Sequence, residues 1–421
     1  MDQAPPIHVP LRFFLTAPLF GVVAGLFVLF SESTLFESRY ALASIVATHL
    51  ITLGFFTAVM LGALTQMLPV LAGAKIPKVT HVATFVHLFF LGGIAAFSIG
   101  LYSTIPWLLD LARGTLGSAL GVMLGAILYS IVKVEHLTPT IRGMRTSLLF
   151  ALGAVALGMV LLGDYSAQNI GSRHYQLANI HSVWAFFGFA AVLIVAVSFQ
   201  VLPMFYVSQE FGETFRKWAL PFVAVLLIVW AFLESLYPQY ALFCKLMLAL
   251  FFLYFATEIY NRLKQRKRSV VDVTLYYWYF GAFMLGASMV AWILREVMAD
   301  ITITTVALLG AGGVLSIMIG MLYKIVPFLV WFHLNAMGYM NIATMNEMFK
   351  KELALFGFWI FVVALFVSIA GFYFPLLLKV GAFAFILSMA ILEYNLFKVV
   401  QIYRTTKQRK PDFDMNAFSA V

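Results

Sequence analysis

The sequence predicts an all-α membrane protein of about twelve transmembrane helices, and three observations carry that prediction. The 421 residues are 63% hydrophobic and 11% charged, whereas a soluble domain is nearer half apolar and a quarter charged. Mean hydropathy is +0.96. The apolar residues fall in runs of roughly 20, each long enough to cross the hydrocarbon core as a helix, and the connections between runs alternate between basic and base-poor.

In chain order the runs centre on residues 11–31, 44–72, 81–102, 107–132, 146–163, 180–207, 218–235, 239–261, 274–294, 303–323, 353–374 and 377–399. The first follows MDQAPPIHVPLRFF (1–14), which has neither a basic leader nor a small-residue cleavage site, so no removable signal peptide is expected. After the second run come Lys75 and Lys78. The fourth is followed by Lys133, Arg142 and Arg145, the sixth by Arg216 and Lys217, the eighth by NRLKQRKR (261–268), and the tenth by Lys350 and Lys351. The twelfth runs into KVVQIYRTTKQRK (398–410). The alternate connections, such as SESTLFES (31–38), GDYSAQNIGS (163–172) and ESLYPQ (234–239), are poor in Lys and Arg. The positive-inside rule puts the basic loops and both termini in the cytoplasm, as expected for a multi-pass protein of a bacterial inner membrane. The expected organisation is one membrane domain over 1–421 with a short polar cytoplasmic tail, 401–421.

The net charge of +9 does not point to nucleic acid, because the basic residues sit in short clusters between apolar runs. The expected partner is the lipid bilayer. The single Cys244 excludes an intramolecular disulfide and any CxxC site. No GxxxxGK[ST], HExxH or GxSxG occurs, so nucleotide hydrolysis and protease or esterase chemistry have no support.

An internal repeat organises the chain. LGFFTAVMLGALTQMLPVL (53–71) aligns without gaps to FGFAAVLIVAVSFQVLPMF (187–205), and more weakly to AGGVLSIMIGMLYKIVPFL (311–329). The shared columns are Gly54/Gly188/Gly312, Gly62/Ala196/Gly320, Gln66/Gln200/Lys324 and Pro69/Pro203/Pro327. These prolines lie 134 and then 124 residues apart, so each repeat covers about four helices: approximately 11–133, 146–264 and 274–400. The frame falls on the second, sixth and tenth helices. Three four-helix arcs around a pseudo-threefold axis are expected, with those three helices on the inner wall.

Intramembrane histidines are functional candidates, since imidazole is the commonest neutral metal ligand. His49 and His181 precede the first glycine of two repeats by five and seven residues, which lets both rings converge at one end of the bundle. They could share a metal, or each could simply bond a backbone carbonyl or water near a helix start. His87, deeper in the third helix, is either a third ligand or proton relay, or an interhelical hydrogen bond. His174 could join His181 across about two helical turns, or be a solvated loop residue. Gln66, Gln200 and Lys324 each stand three residues before a proline. Their side chains could satisfy carbonyls freed by the proline, or line a polar pathway in which Lys324 meets an anionic ligand. Glu258 and Glu393 end the eighth and twelfth helices; pairing with Arg262 and Lys398 in the next turn is the expected explanation, with proton entry as the alternative.

The twelve helices in three quasi-equivalent arcs, together with THLITLGFF (48–56), IHSVWAFFGF (180–189) and the GxxxQxxP-like helix ends, resemble the haem-copper oxidase subunit I superfamily. They are also similar in outline to NnrS-type membrane proteins. The resemblance implies haem b and/or copper as cofactor, with His49 matching a low-spin haem ligand in position and His181 a copper ligand. It further implies electron transfer, or nitric-oxide, redox or metal handling, with a cytochrome or respiratory-complex partner. Two departures matter: the seventh run (217–235) and the tenth (302–324) contain no histidine, whereas the family carries a histidine pair on each. Conventional oxygen reduction is therefore not expected. The competing expectations are a cofactor-free transporter or channel, and a structural or assembly subunit of a respiratory complex.

Overall fold

The computed structural model describes residues 5–32, 38–298 and 301–413; the middle of the first base-poor loop and the end of the polar tail lie outside these. Among the described residues there is no strand, and twelve helices are long and apolar enough to cross a membrane. They are α1 (His8–Phe30), α2 (Leu42–Ala72), α3 (Val79–Tyr102), α4 (Pro106–Val132), α5 (Pro139–Ser166), α6 (Ser172–Tyr206), α7 (Glu213–Leu236), α8 (Pro238–Lys264), α9 (Val273–Leu294), α10 (Ile303–Ala336), α11 (Lys351–Ala370) and α12 (Pro375–Thr406).

Several helices outrun their hydrocarbon-length stretch. α5 begins at Pro139 because Thr138 caps it, accepting from the Ile141 amide at 3.3 Å. α6 begins at Ser172 rather than near 180, and α10 continues to Ala336 rather than stopping at 323. That last extension runs through Lys324 and Pro327, both buried. The lysine does not end the span because it is neutralised, as described below.

Burial separates the repeat helices from the others. α2, α6 and α10 bury 61%, 72% and 72% of their most apolar stretch, against 28% to 44% for the other nine. Each packs on the helix before it, and the second glycine column sits at that contact. A Cβ on Gly62 would lie 2.7 Å from Cε1 of Phe14 in α1, and one on Gly320 2.8 Å from Cβ of Tyr277 in α9. In α6 the small residue is Ala196, whose Cβ would be 2.5 Å from a Cβ built on Gly143 of α5. Small residues at these positions let neighbouring helices approach closely in the absence of a strong hydrophobic drive between them.

The ends of α2 and α6 match as well. Gly73 and Val207, 134 positions apart like the rest of the frame, both cap their helices in the left-handed region, with φ of 62° and 52°. Glycine adopts that conformation freely, whereas a β-branched valine is strained in it. The strain at Val207 is held by the α8–α9 connection: the Lys267 amide donates to the Val207 carbonyl at 3.0 Å, and Arg268 donates to the Phe205 carbonyl at 3.2 Å.

Candidate functional site

The helices that carry His49 and His181 depart from α geometry in the same place. Leu50–Thr57 of α2 and Trp184–Ala191 of α6 are π-helical, again 134 residues apart. π-Helical turns are rare and concentrate at functional sites, because each inserts a residue and rotates everything before it relative to everything after. His49 is the residue immediately before the first segment, and His181 stands three residues before the second. In the gapless frame the two histidines are thus displaced by two residues rather than strictly equivalent. α10 has no π segment, and Ala307 and Thr305 occupy the places of the two histidines there.

Each π segment is braced by an aromatic ring lying on its glycine. A Cβ on Gly54 would sit 2.5 Å from Cγ of Phe20, and one on Gly188 2.6 Å from Cγ of Phe150. In α10 the equivalent Gly312 meets Leu365 of α11 instead. Side chains also satisfy the shifted backbone: the Thr57 hydroxyl donates five residues back to the Thr52 carbonyl at 2.8 Å, and Ser147 of α5 donates to the Phe189 carbonyl at 3.0 Å.

The imidazoles of His49 and His181 come together with ring centroids 6.0 Å apart and planes 15° apart. Nδ1 of His49 lies 2.8 Å from the Ile45 carbonyl, and Nδ1 of His181 lies 2.9 Å from the Ala154 carbonyl of α5. A carbonyl oxygen only accepts, so in both rings Nδ1 carries the hydrogen and Nε2 keeps its lone pair. Neither Nε2 has a hydrogen-bond partner among the described residues. Gly158 makes room for His181: a Cβ there would be 3.1 Å from Cε1. The ring of Phe97 flanks His49 at 4.8 Å. Both histidines lie deep among the helices yet are only half-buried.

This donor set fits a metal held between two imidazoles. The two rings are stacked with centroids 6.0 Å apart, and a metal bound there at the usual distance of about 2.0 Å would be held by Nε2 of His49 and Nε2 of His181. Anchoring Nδ1–H on a carbonyl is how metal-binding histidines are commonly oriented. No cluster of three or more His, Cys, Asp or Glu side chains with metal-holding geometry occurs among the described residues, so from those residue types this place offers at most the two imidazoles.

Of the other histidines, His87, His174 and His333 are engaged elsewhere. His87 Nε2 lies 2.8 Å from the Thr16 hydroxyl, which itself donates to the Arg12 carbonyl at 2.5 Å. His87 thus supplies one of the hydrogen bonds between α3 and α1, beside that of Arg12 to Thr84 at 2.8 Å. His174, read from the sequence as a ligand or as a solvated loop residue, is neither joined to His181 nor solvated. It is 3% exposed, with Nδ1 3.0 Å from Asp164 and the rings of Tyr165 and Tyr175 edge-on to it. α6 starts eight residues earlier than its apolar run and carries His174 into the packed region. His333 bonds the Leu329 and Pro5 carbonyls.

Gln66, Gln200 and Lys324 occupy one column but three environments. Gln66 is 5% exposed with its Oε1 lacking a partner, while Gln200 is exposed. Lys324, 1% exposed, pairs with Asp272 at 2.8 Å. Asp272 is the residue that sequence reasoning missed. It caps α9, accepting from the Thr274 amide at 3.1 Å and from the Thr274 hydroxyl, and the Tyr206 hydroxyl lies 2.6 Å from that same Thr274 oxygen. Lys324 also stands 5.5 Å from the Tyr206 ring centre. The network joins α6, α9 and α10. An Asp immediately before an apolar run is an N-cap signal, and a lysine inside a membrane helix needs a counter-charge; together those two signals could have found it.

No protein-family model matches this chain, and no curated protein matches it significantly.

Proposed function

We propose that this protein is an inner-membrane haem- or copper-binding protein in which His49 and His181 ligate one metal atom through their Nε2 atoms. The observation that carries this reading is the pair itself: two near-parallel imidazoles with centroids 6.0 Å apart, both with Nδ1 fixed and Nε2 free. When bound, such a group supplies one-electron redox chemistry or binding of a small gas. The chain's part is to position it. The carbonyls of Ile45 and Ala154 fix the tautomers, the π segments set the phase of each ring on its helix, and Phe97 covers one side.

The fold reading rests on the same features. Three buried repeat helices with one glycine column, and π segments shared by two of them, support three four-helix arcs around a pseudo-threefold axis. That is the arrangement resembling haem-copper oxidase subunit I and NnrS-type proteins. The basic loops support cytoplasmic termini. With only two imidazoles in the donor set, electron transfer or nitric-oxide, redox or metal handling with a respiratory partner fits better than oxygen reduction.

The test is the absorption spectrum and the iron and copper content of the purified protein. One haem or metal per chain is expected, lost in both His49→Ala and His181→Ala. A folded, colourless protein without copper that also fails to take up haem or copper added to it overturns the proposal. One observation favours a second reading, an ion-coupled transporter: the buried Lys324–Asp272 pair between three helices. On that reading, neutralising the pair abolishes transport and the histidine variants bind no less metal than the parent.

A further inference from the structure

The ends of α8 and α12 carry the same motif with different consequences. EIYNRLK (258–264) and EYNLFK (393–398) place Glu258 and Glu393 at matching points. Glu258 is paired: Arg262, one turn on, donates to it at 2.6 Å. The residue one turn after Glu393 is Phe397, and no ion pair involving Glu393 occurs among the described residues. The sequence expectation that Lys398 pairs with it is not met; Lys398 reaches Gln401 at 3.2 Å. One carboxyl oxygen of Glu393, Oε2, is buried without a hydrogen-bond partner.

Its surroundings are apolar and helical. α12 packs on α1 with Ile386 against Gly25 and Met389 against Gly21. Glu393 follows one turn on along that face of α12 and is half-buried; continued by one turn, the antiparallel register that sets Met389 on Gly21 leads on α1 to Ala17 and Pro18, which are both buried. Pro18 has no amide hydrogen, so the Phe14 carbonyl loses its intrahelical donor. The cations and titratable groups on the helices packed against α12 are committed or distant. Arg12 of α1 bonds Thr84 and the His8 carbonyl, Lys324 of α10 pairs with Asp272, and His333 of α10 bonds two carbonyls. Tyr323 of α10 accepts from Asn395, and Lys351 and Glu352 stand exposed at the start of α11. On α12 itself Tyr394 and Arg404 are exposed.

We propose that Glu393 is a proton-binding site in the wall between α1 and α12, a carboxyl that carries an exchangeable proton and offers its O–H to backbone of α1 opened by Pro18. A lone carboxylate inside a membrane helix, without a cation or donors, is strongly disfavoured, whereas a carboxylic acid supplies the donor that this stretch of backbone lacks. The site is separate from the histidine pair and does not depend on the metal reading.

The probe is N,N′-dicyclohexylcarbodiimide, which adds to carboxylic acids in apolar surroundings, applied to the full-length protein in liposomes and followed by peptide mapping. Labelling of Glu393 is expected to exceed that of Glu258 by at least tenfold and to fall as pH is raised. In Phe397→Arg, which recreates the partner of Glu258, labelling is expected to fall at least tenfold. Infrared spectra provide a check that needs no reagent access: a carboxylic-acid carbonyl stretch present in the parent and absent from Glu393→Gln. Equal labelling of Glu258 and Glu393, labelling unchanged in Phe397→Arg, or identical infrared bands in parent and Glu393→Gln overturns the proposal.

Discussion

Replacing Asp272 by Asn tests whether the buried pair with Lys324 holds α9 and α10 together. Asn caps a helix about as well as Asp, so the change removes the charge and spares the cap. It leaves an ammonium that is 1% exposed with no counter-charge. Stranding one member of a buried ion pair costs about 3–5 kcal/mol. Lys324→Met leaves the carboxylate instead, which keeps its bonds from the Thr274 amide and hydroxyl and is 10% exposed. Its cost should be smaller, about 2–3 kcal/mol. The double variant removes both charges and should lie within about 1 kcal/mol of the parent, because a buried pair as a whole contributes little net stability. A coupling of about 4 kcal/mol or more between the two sites follows. The assay is reversible unfolding in mixed micelles at increasing SDS fraction, measured on all four proteins. If each single variant loses less than 1 kcal/mol, or the double loses the sum of the two, the pair does not act as described.

Three further outcomes are expected. Val207→Gly should stabilise the protein by about 0.5–1 kcal/mol, the left-handed strain of about 1–2 kcal/mol less the backbone entropy of glycine; a loss of stability in the same unfolding assay would contradict it. Gly54→Ala should cost about 1–3 kcal/mol and lower metal occupancy, because its Cβ would lie 2.5 Å from the Phe20 ring. Gly92→Ala, with nothing within 4 Å, should do neither. In the tail, Asp412 accepts from the Met340 amide at 2.8 Å and the Asn341 amide at 3.2 Å, and these bonds hold its carboxyl below the usual aspartate range. A lowered folded value means that the tail contact is complete above the unfolded value of about 3.9 and lost as pH falls through the folded one. The Met340 amide chemical shift should follow that titration, and Asp412→Asn should abolish it.

The span pattern was legible because twelve apolar runs are long enough to need little context. The ends were less so: Lys324 looked like the close of a helix, and only its partner Asp272, 52 positions away, shows why the helix continues. The glycine and proline columns could be found as a repeat, and they fall on the three most buried helices. The π segments could not, since LITLGFFT and WAFFGFAA satisfy an α-helix equally well and the extra residue is specified by rings from α1 and α5. The two histidines could be placed on copies of one helix, but their separation depends on how far each π segment rotates its ring. His174 was misread because its burial comes from Asp164 and the flanking tyrosines rather than from an apolar run. The fate of Glu393 turned on one residue, Phe397 in place of the arginine that serves Glu258.

The most direct measurement of the proposed shared site is the metal content of the purified protein and the ligand set of any metal it binds, by X-ray absorption and electron paramagnetic resonance. A site held by His49 and His181 predicts two imidazole nitrogens at about 2.0 Å, and loss of binding or of one imidazole in each single alanine variant. Two imidazoles that persist in His49→Ala and His181→Ala, or a metal bound without imidazole, would contradict it.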